Sequence, residues 1–93
     1  MSNIKTKQLE EVEVDVLELT DKKTLVLFND DVNTFEHVIE TLVDVCGHNL
    51  VQAEQCTFII HYNGKCAVKN GTLEELEPMY KEILDRGISA EIQ

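Results

Sequence analysis

The sequence of 93 residues is the length of one domain, since domains run to roughly 100–150 residues and a second core would not fit. Apolar residues make up 43%, too many for a disordered chain. No run approaches the ~20 apolar residues of a membrane helix, and Met1-Ser2-Asn3-Ile4-Lys5 opens no apolar signal region, so a soluble cytoplasmic protein is expected. Eighteen Asp and Glu against eight Lys and Arg give a net charge of -10. That excess argues against nucleic acid, whose phosphates need clustered cations, and favours solubility and cationic partners.

In chain order, residues 1–23 read as an N-terminal extension, flexible or partly extended. Val12, Val14 and Val16 alternate with Glu11, Glu13 and Asp15, the period of a strand, so residues 12–19 are either an edge strand or an extended acidic tail. Residues 24–93 form the domain. Thr24-Leu25-Val26-Leu27-Phe28, set between Asp21-Lys22-Lys23 and Asn29-Asp30-Asp31, reads as a buried strand. A helix is expected from Asn33, with Asn33 and Glu36 as a capping box. Phe35, Val38, Ile39, Leu42 and Cys46 fall on one face, and Gly47 is the stop.

Asn49 and Gln52 repeat the capping pattern for a second helix from Leu50 to about Tyr62. Phe58-Ile59-Ile60 alone would suit a strand, but the cap and the length favour a helix. Its apolar residues cover more than one face, which predicts heavy burial, and Asn63-Gly64 ends it. Lys65–Lys69 reads as a short strand and Asn70-Gly71 as a turn. Thr72 and Glu75 form a third capping box, opening a helix whose face carries Leu73, Leu76, Tyr80, Ile83 and Leu84. Pro78 is expected to kink or split that helix. Arg86-Gly87 closes it, and Ile88–Ile92 reads as the last strand. The order β-α-α-β-α-β predicts an α+β fold, with helices on one face of a small sheet.

Cys46, Cys56 and Cys66 lie ten residues apart, whereas structural zinc sites pair ligands roughly two to four residues apart. They read as reduced, partly buried small apolar residues. His37 and His48 look exposed. Polar groups meet apolar neighbours at Asn29-Asp30-Asp31, leaving a buried strand, and at His61, after Phe58-Ile59-Ile60. Turn, cap and packing roles account for such residues in most proteins. Asp with His is also an acid–base pair, but no nucleophile elbow, His-Glu-x-x-His or Gly-rich phosphate loop accompanies it. A metal-dependent or acid–base enzyme built on Asp30, Asp31 and His61 is therefore the weakest reading, and no cofactor is expected.

The run Leu25-Val26-Leu27-Phe28-Asn29-Asp30-Asp31, then Phe35-Glu36-His37-Val38-Ile39, then His61-Tyr62-Asn63-Gly64-Lys65 resembles the ClpS family over residues 24–93. That family comprises bacterial adaptors that hand N-degron substrates to the Hsp100 (AAA+) unfoldase of a Clp protease. The resemblance implies three antiparallel strands under three helices, and a non-enzymatic pocket for the first residue of a substrate. Asn29, Asp30, Asp31 and His61 match the positions around the substrate's α-amino group. An amide carbonyl, a neutral imidazole nitrogen and carboxylates suit a cation with three donors. An acetylated terminus, lacking the charge and those donors, would leave acceptors unpaired.

The matching side-chain pocket is Phe28, Asn33, Phe35, Val38, Thr57, Ile60 and Ile88. Burying a Leu or Phe there contributes roughly 1.5–3 kcal/mol. With the amine contacts, a total of about 8 kcal/mol gives micromolar binding. Phe35 stands where the family often has Met and should exclude β-branched Ile and Val. Thr57 makes a smaller, more polar wall with room for a hydroxyl or a larger ring.

The third helix would dock the unfoldase's N-terminal domain, of ClpA or ClpC type, with Glu74 matching an acidic docking residue and Met79 standing at a basic one. Nothing demands more than a monomer. The alternative within this fold is a regulator that docks on the unfoldase without recognising N-termini.

Overall fold

The computed structural model of the chain describes residues 21–93. The expected strand or tail at 12–19, and the rest of the extension through residue 20, lie outside them. The elements are β1 (Lys23–Phe28), α1 (Phe35–Cys46), α2 (Leu50–Asn63), β2 (Lys65–Gly71), α3 (Leu73–Asp85) and β3 (Ala90–Ile92). The expected order holds, and the sheet runs β2-β1-β3 with both pairings antiparallel.

Strand β1 is central because its run of branched apolar residues can be covered on both sides: Leu25, Val26 and Leu27 are all buried. Leu25 and Leu27, Cys66 and Val68 of β2, and Ala90 and Ile92 of β3 meet the helices in one core. Val38, Leu42 and Cys46 of α1, Ala53 and Ile60 of α2, and Leu76 and Ile83 of α3 complete it. The β1–β2 register slips between Leu25–Lys69 and Val26–Ala67, which leaves Val68 as an extra residue whose side chain joins that core.

The capping boxes at Asn49–Gln52 and Thr72–Glu75 are both formed. The first helix departs from expectation. Its cap is Thr34, whose side chain accepts from the His37 N–H. Asn33 is drawn away to Asp30 and Gly87, so it caps nothing. Strand β2 runs on through Asn70 and Gly71, which pair with Thr24 and Lys23 instead of turning, and β3 starts at Ala90. Pro78 neither ends nor divides α3. Its fixed φ suits a helix, although it leaves the Glu74 carbonyl without its i+4 donor.

The expected heavy burial of α2 is also corrected. Only Ala53, Thr57 and Ile60 are buried, while Leu50 and Val51 are 59% and 60% exposed. A helix packed on one side can bury only one stripe, and the remaining apolar groups of α2 face outward. The chain closes α3 with Gly87 at φ 83°, donating to the Leu84 carbonyl while Ile88 donates to that of Ile83. That left-handed position favours glycine.

Candidate functional site

Four segments converge beyond the C-terminal end of β1. Backbone hydrogen bonds fix two of the junctions: Phe28 N–H donates to Ser89 O at 2.9 Å, and Asn29 N–H donates to Gly64 O at 2.8 Å. The first joins the β1 exit to the α3–β3 corner, and the second joins it to the end of α2. Gly64, at φ 91°, stops α2 just after His61 and places that carbonyl.

Between these segments lies a cavity of about 250 Å³, smaller than the ~300–1,000 Å³ of pockets for drug-sized ligands. That is space on the scale of one large side chain. Its lining brings together Asn29, Asp30, Asp31 and His61 with Phe28, Asn33, Phe35, Val38, Thr57, Ile60 and Ile88. Thr34, the cap of α1, lines it too. Val38, Thr57, Ile60 and Ile88 are buried, whereas Asn29, Asp31 and His61 are exposed. The cavity therefore has an apolar floor and a polar mouth.

The polar residues have different occupations. Asp30 holds its own loop. Its Oδ1 accepts from the Val32 and Asn33 N–H groups at 3.0 Å each, and its Oδ2 accepts from Asn33 Nδ2 at 2.8 Å. Burial raises the Asp30 carboxyl, but these hydrogen bonds, with His37 nearby, hold it below its ordinary value. The Asn33 amide also donates to Gly87 O at 2.9 Å, tying the loop to the α3–β3 corner. Among the described residues, the side chains of Asn29, Asp31 and His61 have no hydrogen-bond partner. The mouth thus presents one amide, one carboxylate and one imidazole without hydrogen-bond partners among the described residues.

Thr57 is less polar toward the cavity than its identity suggests, because its hydroxyl donates to Ala53 O at 2.7 Å. Phe35 sits among rings, edge-on to Phe58 at 5.5 Å and to His61 at 5.0 Å. These contacts orient the His61 imidazole at the rim.

The other two histidines are not exposed as expected. His37 Nε2 donates to Arg86 O at 2.8 Å, and His48 Nε2 donates to Val68 O at 2.7 Å. A carbonyl only accepts, so in each ring that nitrogen carries the proton. His37 thereby braces the start of α1 against the end of α3, a positioning role that its local sequence does not reveal. The three cysteines are free thiols. Burial foremost pushes Cys46 and Cys66 each up to about 11. On α3, Glu74 is exposed in the first turn, whereas Met79 is half-buried against the core. Five positions apart, they point about 140° away from each other around the helix.

Residues 18–91 match the family profile of the ATP-dependent Clp protease adaptor protein ClpS. The chain belongs to the ClpS family. ClpS adapter proteins of Campylobacter jejuni subspecies jejuni and doylei are each 36% identical to it over 61 residues, 66% of this chain. The chain spans 64% of the length of those relatives. A solved structure of Agrobacterium tumefaciens ClpS2 bound to L-phenylalaninamide superposes with a TM-score of 0.70, covering 77% of this chain and 96% of that one. At 21% identity, this likeness to ClpS2 establishes the fold alone. The three helices and the antiparallel sheet are those of ClpS. Among the described residues, no helix is long and apolar enough to cross a membrane.

Proposed function

We propose that the chain is an adaptor that binds the free α-amino group and large hydrophobic first residue of N-degron proteins and delivers them to an AAA+ Clp unfoldase. The observation that carries this reading is the cavity's division into an apolar floor and an unengaged polar mouth. Asn29 Oδ1, an unprotonated His61 nitrogen and the Asp31 carboxylate are the acceptors for an ammonium. Asp30 contributes charge, and through Asn33 it sets the loop that presents the others. The side chain enters over Phe35 onto Val38, Thr57, Ile60 and Ile88. The ligand of the Agrobacterium ClpS2 structure, L-phenylalaninamide, carries a free amine and an aromatic side chain and supports the same class of ligand for this chain.

Docking on the N-terminal domain of a ClpA- or ClpC-type unfoldase would use the exposed first turn of α3 at Glu74, with the adaptor a cytoplasmic monomer. The half-buried Met79 would act there chiefly by packing. Fluorescence anisotropy with labelled peptides beginning with Phe, Leu, Tyr, Trp, Ile or Ala, and with N-acetyl-Phe, tests the pocket. Micromolar binding of the large apolar termini, lost on acetylation, is the expected result. Failure of every free-amine peptide to bind would overturn it in favour of a regulator that docks through α3 without reading N-termini.

A further inference from the structure

The outward face of α2 carries rings that neither the amine site nor the side-chain pocket uses. Phe58 and Tyr62, one helical turn apart, stack at 6.1 Å with 8° between their planes. They are 50% and 73% exposed. Grouped exposed apolar surface marks interaction sites far more than single exposed residues do. This pair is continuous with the mouth of the cavity. Phe58 meets the gate residue Phe35 at 5.5 Å, and Tyr62 meets His61 at 4.8 Å. The four rings form one ledge that begins at the rim and runs outward across α2.

We propose that this ledge is a subsite for the second residue of the bound chain, with preference for an aromatic side chain there. The inference rests on the N-terminus-binding reading above. With the first side chain in the cavity and its amine at Asn29, Asp31 and His61, the peptide must leave across the rim. Its second Cα lies only ~3.8 Å from the first, so the second side chain starts at that rim. Three segments border the rim, of which the α3–β3 corner offers only Gly87, the buried Ile88 and Ser89. The β1–α1 loop offers carboxylates and a single exposed Val32, while α2 offers stacked rings. An aromatic side chain finds offset or edge-on partners only on the α2 side.

The test titrates the intact protein with two free-amine peptides, Phe-Phe and Phe-Ala at their first two positions and otherwise identical. It repeats this with the double variants Phe58→Ala/Tyr62→Ala and Phe58→Leu/Tyr62→Leu. The leucine pair keeps apolar contact with Phe35 and removes the stacking. The unmodified protein is expected to bind Phe-Phe about two- to tenfold more tightly than Phe-Ala. Both variants should lose that preference, read as the ratio of the two affinities within each variant. Equal affinities in the unmodified protein, or a preference that survives in the variants, would overturn the ledge and leave the pocket standing. Failure of both peptides to bind the unmodified protein would overturn the pocket and the ledge together.

Discussion

Two of the hollows among the described residues have a histidine at the edge. The cavity beyond β1 is bordered by His61. A crevice beside the α1–α2 corner is lined by Cys46, Gly47, His48, Gln52, Ala67, Val68, Lys69 and Asn70. The crevice is the more polar of the two, yet its polar groups largely hold the fold together, although the buried His48 Nδ1 has no hydrogen-bond partner among the described residues. His48 donates to Val68 O, and Lys69 Nζ donates to Cys46 O at 3.3 Å. Together they strap the corner to β2. In the cavity, Asp30 and Asn33 are engaged in holding the fold, with His37 bracing α1 on α3 outside the lining, whereas Asn29, Asp31 and His61 are exposed at the mouth. A binding site is thus marked less by how many polar groups line a hollow than by how many are left without protein partners.

Exchanging the two histidines' fates is the strongest way to break this contrast. Asn29→Ala or His61→Ala should weaken binding of a Phe-terminated peptide by about 10- to 100-fold, the worth of a hydrogen bond to a charged group. The melting temperature should move little, because neither side chain has a hydrogen-bond partner to lose among the described residues, and the His61 ring contacts lie at the exposed rim. His48→Ala should do the reverse. Losing a hydrogen bond worth about 1 kcal/mol should lower the melting temperature by ~4–8 °C for a domain this size, with peptide affinity unchanged. Thermal unfolding and anisotropy on the same samples check both.

Asp30→Ala should fall between these and affect both readouts. Its carboxylate orders residues 30–33 and orients Asn33, so its loss is expected to lower stability by about 1–2 kcal/mol and affinity by about tenfold. Its folded pKa is depressed, so the stability it contributes is present above the ordinary carboxylate value. That contribution is lost only as pH falls through the lower folded value. Asp30 therefore remains ionised between about pH 8 and 5.5, above the ~3.9 of a free Asp. The loop that Asp30 orders is therefore expected to hold its shape across that window. His61→Gln, which keeps an acceptor at the rim, should retain more peptide affinity than His61→Ala; an equal loss in the two would remove His61 from the amine site.

The smallest expected effect concerns Thr57. Because its hydroxyl proton goes to Ala53 O, Thr57→Val should leave the ratio of Tyr- to Phe-terminated peptide affinities within about twofold. A larger change would mean that the hydroxyl reads the ligand.

The legible parts of the sequence were those set by local chemistry. Thr24–Phe28, the boxes at Asn49–Gln52 and Thr72–Glu75, and the glycine stops depend on neighbours within a few residues, and they formed as read. The cap of α1 was misread because Asn33 and Thr34 are both good caps. Gly87, which draws Asn33 away, lies 54 residues further along the chain. Likewise, nothing beside His37 or His48 names Arg86 or Val68 as the carbonyl that receives its proton. The apolar residues of α2 overstated its burial, since composition does not say which stripe meets the sheet. Asn29-Asp30-Asp31 and His61 stand out in the sequence as polar groups against apolar neighbours, while the amine-binding role and the side-chain pocket come from family resemblance. The physical division of these residues into braces and free acceptors emerged only with the hydrogen bonds.

Backbone amide NMR during titration with the dipeptide Phe-Ala and with its N-acetylated form tests the central claim most directly, because it observes both hollows at once. The free-amine dipeptide should shift Asn29, Asp31, Val38, Thr57, His61 and Ile88. It should leave Gly47, His48, Val68 and Lys69 in place, and the acetylated form should move neither set. Shifts centred on the His48 crevice, or an equal response to the acetylated dipeptide, would contradict the account.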